Sequence, residues 1–237
     1  MTTTSGFALR GRLASYIPWT DGTGKIVGSW RRLPVAVAWS VGYLVLSWLL
    51  FVPLSYDDGG KYKIDEERVD SCIYRIPDLS DDFFHALGTL VTAPFLNHDS
   101  VQLIYVTLLM LLFGAIFEIR EGARTAVLIF FGSTFFAAIF GGVVLHLIYP
   151  EPWDASFLET AWERTWSGGS AGCFGLMGGL AGRARKPWLL LGAFGLWEIF
   201  IEYVNLRSYT TVFHFAALFA GFMVVRYLIP PRSRAYG

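Results

Sequence analysis

A chain of 237 residues that is 54% hydrophobic and only 16% charged, with a mean hydropathy of +0.47, is too apolar for a soluble domain. Its 19 basic and 19 acidic side chains cancel, which excludes the basic surface that a nucleic-acid partner needs. The apolar residues fall in blocks of membrane-crossing length, so the composition describes a multi-pass protein of the lipid bilayer.

Residues 1–33 are polar and basic, with no compact apolar stretch before a small-residue cleavage site. They read as a cytoplasmic N-terminal segment, and the first apolar run as a retained anchor. Six stretches qualify as helical spans by apolar length: roughly 34–54, 101–117, 126–148, 169–183, 187–205 and 211–229. The expected fold is therefore all-α, a six-span bundle over 34–229 with a cytoplasmic tail at 230–237. The stretch Phe83–Phe95 is shorter and holds His85, Gly88, Thr89, Thr92 and Pro94, which suits a re-entrant or interfacial element better than a span. Cys72 falls in a polar loop and Cys173 in an apolar segment, so no disulfide is expected.

Charge sets the orientation. With both ends in the cytoplasm, the inner segments hold Arg10, Arg12, Lys25, Arg31, Arg32, Arg120, Arg124, Arg183, Arg185, Lys186, Arg226, Arg232 and Arg234. The outer loops hold only Lys61, Lys63, Arg68, Arg75, Arg164 and Arg207. The first outer loop is also crowded with acids from Asp57 to Asp82, read as a solvated surface. Spans four and six then both start from the outer side, near Ser170 and Thr211. Ser170 and His214 are expected at similar shallow depth, within reach of outside water.

Span four is rich in glycine. Gly168, Gly172, Gly175, Gly178, Gly179 and Gly182 form several small-xxx-small pairs that let helices approach closely, and span six offers Ala217 and Gly221 on the face of His214. If those faces meet, a serine hydroxyl comes to lie beside a base able to take its proton near neutral pH. A first-turn N–H at Ser170, without an intrahelical acceptor, would be available to an oxyanion. Small-residue runs containing serine are also common packing faces, so these residues alone leave Ser170 as nucleophile or as packing residue.

Together the segments resemble the rhomboid family of intramembrane serine proteases. Gly168-Gly169-Ser170-Ala171 is similar to the family's Gly-x-Ser-Gly, with alanine in the last place. His214-Phe215-Ala216-Ala217, with Gly221 beyond, resembles its His-x-x-Gly followed by a further small residue, and Gly114-Ala115-Ile116-Phe117-Glu118 its Gly-x-x-x-Glu at the end of span two. The likeness covers about residues 35–230. It implies Ser170 as nucleophile and His214 as general base, a dyad without an acidic third member. It also implies Phe174 stacked against the histidine, transmembrane protein substrates cut near their outer end, and no metal or cofactor. The six-span form without a seventh span looks bacterial, which implies the plasma (inner) membrane with the site facing outward.

The chain departs from the family pattern on span two. The family's usual histidine and asparagine near the oxyanion are replaced by Gln102 and Val106, and the Trp-Arg pair of its first loop is missing near Gly88 and Thr89. Gln102 can still donate a hydrogen bond and Val106 cannot; Asn97 and His98, just outside span two, are the nearest groups able to compensate. Glu198 and Glu202, one turn apart on span five, share a helix face. Span five is the family's lateral gate, so the two are candidates for gating or substrate contact. The expected activity is that of an intramembrane serine endopeptidase cleaving single-span membrane proteins. The alternative is a catalytically impaired rhomboid-like pseudoprotease that binds transmembrane helices without cutting them. The surviving serine and histidine favour the first, and Val106 and the altered loop the second.

Overall fold

A computed structural model describes residues 37–151, 153, 155–204 and 209–230, the side chains of 202–204 excepted. The N-terminal basic segment, the C-terminal tail and Arg207 lie outside the described residues, as does the side chain of Glu202. The protein is mostly helical. Helix α1 (Ala38–Leu54) leads into a hairpin of β1 (Ser55–Asp58) and β2 (Lys61–Ile64). After a short strand β3 (Tyr74–Arg75) come α2 (Phe83–Thr92), α3 (Ser100–Glu121, with one π turn at Met110–Gly114) and α4 (Ala123–Ile148). The surface helix α5 (Ser156–Glu163) and strand β4 (Thr165–Trp166) precede α6 (Ser170–Gly182), α7 (Pro187–Val204) and α8 (Thr210–Leu228).

Three of these helices, α3, α4 and α8, are long and apolar enough to cross a membrane, with 22, 26 and 19 residues. Helices α1, α6 and α7 and the Phe83–Phe95 element are shorter and apolar. A membrane protein is what this pattern describes, and its surface agrees: Leu49, Val52, Leu147, Leu189, Leu196 and Phe200 are each more than half exposed. A water-facing protein rarely offers so many large apolar side chains outward. The Phe83–Phe95 element is a ten-residue α-helix closed by a 3₁₀ turn at Ala93–Phe95, started by the Asp82 side chain accepting from the His85 N–H at 3.0 Å.

Helix α6 is the centre of the bundle. Its 13 residues rise only about 20 Å, less than a hydrocarbon core of about 30 Å. Nearly all of it is buried, chiefly against α8 and α4, so protein rather than lipid surrounds its ends. Glycine makes this possible. A Cβ on Gly172 would strike the Phe130 ring, one on Gly175 the Ser133 hydroxyl, and one on Gly178 the backbone carbonyl of Leu218. From the other side, a Cβ on Gly221 would fall on the carbonyl oxygen of Gly175. These contacts bring α6 and α8 together backbone to backbone, as the small-residue spacing predicts. Ala217 is fully buried on the same face of α8.

Two carboxylates tie the helices at their ends, Glu118 buried and Glu121 partly buried. Helix α1 has no side-chain cap of its own; instead Glu118 on α3 accepts from the Trp39 N–H, the Ser40 N–H and the Ser40 hydroxyl, each at 2.8 Å. A carboxylate at a helix N-terminus satisfies first-turn donors and faces the positive end of the dipole. Glu118→Gln turns an amide N–H₂ towards donors, and the expected loss is about 3 kcal/mol, read as a lower unfolding temperature in detergent. At the other tie, Arg183 pairs with Glu121 through Nε at 3.1 Å and Nη2 at 3.2 Å, and also donates to the carbonyl of Ile229 at 2.9 Å. That joins the ends of α3, α6 and α8.

The first loop is held by local chemistry. Gly59 and Gly60 take positive φ (64° and 90°) in the two-residue turn between β1 and β2, as a tight hairpin requires. Asp58 pairs with Lys63, Asp65 with Arg68, Asp70 with Arg75 and Glu66 with His98. The hydrogen bond from Lys63 holds the Asp58 carboxyl below its usual range. Cys72 and Cys173 are both free thiols.

Candidate active site

The approach to α6 is set by the loop that lies across it. Strands β3 and β4 pair antiparallel, Tyr74 opposite Trp166 and Arg75 opposite Thr165, so the first loop holds the chain that runs down to Ser170. Trp166 packs on Phe213 with ring centroids 4.4 Å apart, and Arg164 sits 5.0 Å above the Trp166 ring. Gly168 then turns with φ +97°, and its N–H donates to the Ala93 carbonyl at 2.9 Å. A side chain at Gly168 would be strained and would also strike the Gln102 amide. At Gly169 a Cβ would meet the Tyr43 hydroxyl, which donates to the Pro94 carbonyl at 2.8 Å. Two glycines in sequence thus seat Ser170 at the first position of α6.

His214 stands in the second turn of α8, opposite. Its Nε2 and the Ser170 Oγ are 2.8 Å apart, and both residues are buried. The imidazole lies flat on Phe174, one turn further along α6, with centroids 4.3 Å apart and an interplanar angle of 10°. Its other nitrogen, Nδ1, faces Oε1 of Glu198 at 2.5 Å. Glu198 comes from α7, is 1% exposed, and has no partner for Oε2 among the described residues. With a carboxylate at Nδ1, the hydrogen-bond pattern puts the ring proton there and leaves Nε2 to accept from the serine hydroxyl. The arrangement is that of a serine primed for proton transfer to an oriented base.

A cavity of about 70 Å³ opens beside the pair. It is lined by Ser170 and His214, by Ala93 and Pro94 after α2, by Thr134 and Ala138 of α4, and by Gln102, Trp166 and Phe213. That is room for a few waters. Among the described residues no group of three or more His, Cys, Asp or Glu side chains is placed to hold a metal ion.

Several expectations need correction. The resemblance implies a dyad without an acidic third member, whereas Glu198 contacts His214 directly. As a gate or substrate contact, Glu198 would have to face the cleft or the lipid; its carboxylate instead turns inward and is spent on the histidine. Gln102 is held at both ends of its amide: one N–H of Nε2 donates to the Ser167 carbonyl at 2.9 Å and Oε1 accepts from the His98 N–H at 2.6 Å, which leaves the second Nε2 hydrogen. It borders the cavity as an anchor for the 167–168 segment. Asn97 is wholly buried, its amide lacks a hydrogen-bond partner, and it does not line the cavity. His98 turns to Glu66 at 3.1 Å, and Val106 is core. Gly168 serves the turn before α6 and not helix packing.

Sequence reasoning missed the partnership of Glu198 with His214, and also Trp166 as a wall of the cavity and Tyr43 as the side chain packed against Gly169. One signal was present for the first: ionisable groups in apolar helices tend to pair with each other. Glu198 and Glu202 both lie on span five, and only the packing brings Glu198 to the histidine. Comparison with known proteins finds no matching family model and no matching curated protein.

Proposed function

We propose that this chain is an intramembrane serine endopeptidase of rhomboid type, a six-span protein with both ends in the cytoplasm of a bacterial cell. It cleaves single-span membrane proteins near the outer face of the plasma membrane. The observation that carries the reading is the 2.8 Å contact between Ser170 Oγ and His214 Nε2 beside a cavity. A pair that served packing alone would need neither a stacked, oriented imidazole nor room for water.

In this reading the Ser170 Oγ forms a bond to the scissile carbonyl carbon while its proton passes to Nε2 of His214 and the carbonyl π electrons move to oxygen. Collapse of the intermediate breaks the C–N bond, and the departing amine takes the proton from Nε2. Water then attacks the acyl-enzyme by the same route and releases the new carboxyl terminus. The oxyanion is met by first-turn backbone N–H groups at the start of α6, which have no intrahelical acceptor.

A second reading rests on a specific observation. One N–H of the Gln102 amide is engaged by the Ser167 carbonyl and Val106 is apolar and buried, so one of the two span-two places that the family fills with a polar side chain has no donor to give an oxyanion. That favours a pseudoprotease that holds transmembrane helices without cutting them. A fluorophosphonate probe separates the two. Detergent-solubilised wild type is expected to label and Ser170→Ala to stay unlabelled; absence of labelling in a folded wild type would transfer the assignment to the helix-binding reading.

A further inference from the structure

We propose that Glu198 is a positioning residue for His214, so that the site works as a Ser170–His214–Glu198 triad drawn from three helices. The inference rests on the serine-protease reading and extends it. Among the described residues, the buried glutamates Glu118 and Glu198 make the contrast. Glu118 uses both oxygens on three donors at a helix terminus, as a structural carboxylate should. Glu198 is equally buried, yet one oxygen has no partner and the other is committed to the imidazole of the site. Burying an under-satisfied carboxylate is a poor way to stabilise a helix bundle, where an apolar residue of similar size would serve better. What Glu198 supplies is an acceptor at Nδ1.

That acceptor does three things. It keeps the ring proton on Nδ1, so Nε2 is free to receive the serine proton. It fixes the ring about its own axis, while Phe174 fixes the plane by stacking. As the proton leaves Ser170, it faces the imidazolium with a fixed negative charge in a site shielded from water. The carboxylate itself takes no proton. Its place on α7 adds a consequence: movement of α7 away from α8 would separate Glu198 from His214 and disarm the base.

Glu198→Gln keeps the side-chain shape and removes the charge. The amide N–H₂ can turn to Nδ1, which moves the ring proton to Nε2 and points it at the serine. Fluorophosphonate labelling of Glu198→Gln is expected to slow by about 10²- to 10⁴-fold, with kcat rather than KM falling on a cleaved transmembrane substrate. A second readout needs no activity. Proton NMR of histidine-labelled protein should show a far-downfield Nδ1–H resonance in wild type and in Ser170→Ala, absent from Glu198→Gln. Wild type that labels while Glu198→Gln labels equally fast would overturn the triad and leave the protease reading standing. If wild type does not label, the protease reading fails and the triad with it. Should Glu198→Gln not fold, the wild-type spectrum decides, and lack of the downfield resonance counts against the proposal.

Discussion

Alanine in place of His214 is expected to slow phosphonylation of Ser170 by about 10⁴-fold or more, and also to lower stability. The rate follows from the loss of the imidazole that contacts the serine hydroxyl. The stability loss follows from Glu198, whose side chain has the imidazole as its one hydrogen-bond partner among the described residues; without it a carboxylate that is 1% exposed loses that compensation. Removing one member of a buried pair costs about 3–5 kcal/mol. Ser170→Ala loses labelling completely but leaves the Glu198–His214 contact intact, so its unfolding temperature should stay near wild type. Measuring heat-induced unfolding of both variants in one detergent tests this ordering. Equal stability of the two would mean that Glu198 does not depend on His214 for its burial.

Valine in place of Gly221 is expected to remove the folded bundle altogether. The α6–α8 approach is backbone to backbone: a Cβ at Gly221 would overlap the Gly175 carbonyl, and a Cβ at Gly178 would overlap that of Leu218. No rotamer change relieves an overlap with main chain, so the two helices must separate. Overpacking of a tight core usually costs about 1–3 kcal/mol, and here separation also empties the contact between the most extensively packed pair of helices. The same movement would pull Ser170 from His214, since each stands on one of the two helices. Gly192 on α7, with open space around its Cα, is the matched control: Gly192→Val should fold and label like wild type. Sedimentation and far-ultraviolet circular dichroism of the purified variants would show whether Gly221→Val alone is lost.

What was legible from sequence differs between the helices and the site. Apolar length locates α1, α3, α4, α6, α7 and α8, because a segment with no water to hydrogen-bond must satisfy its own backbone. Among the described residues, though, only α3, α4 and α8 are long and apolar enough to cross a membrane. Length does not tell which helix is central. Helix α6 is shorter than a bilayer is thick, and only its burial against α4 and α8 explains how that is tolerated. The glycine spacing foretold close approach, yet the partner of each glycine is decided in three dimensions. Gly172 and Gly175 accommodate α4 side chains, while Gly178 accommodates the α8 backbone.

The sequence by itself determined the apolar, membrane-like character, the main helices, and the placing of a serine and a histidine near the starts of α6 and α8, which the structure brings into contact. Those follow from local properties: hydrophobicity, small side chains and the chemistry of serine and histidine. Only the tertiary structure decided what surrounds the pair. It committed Gln102 to the Ser167 carbonyl and Glu118 to the start of α1, enclosed Asn97 away from the cavity, and directed Glu198 to His214. A buried polar side chain takes whichever partner the packing brings within about 3 Å, and neighbours from distant helices leave no trace in linear spacing.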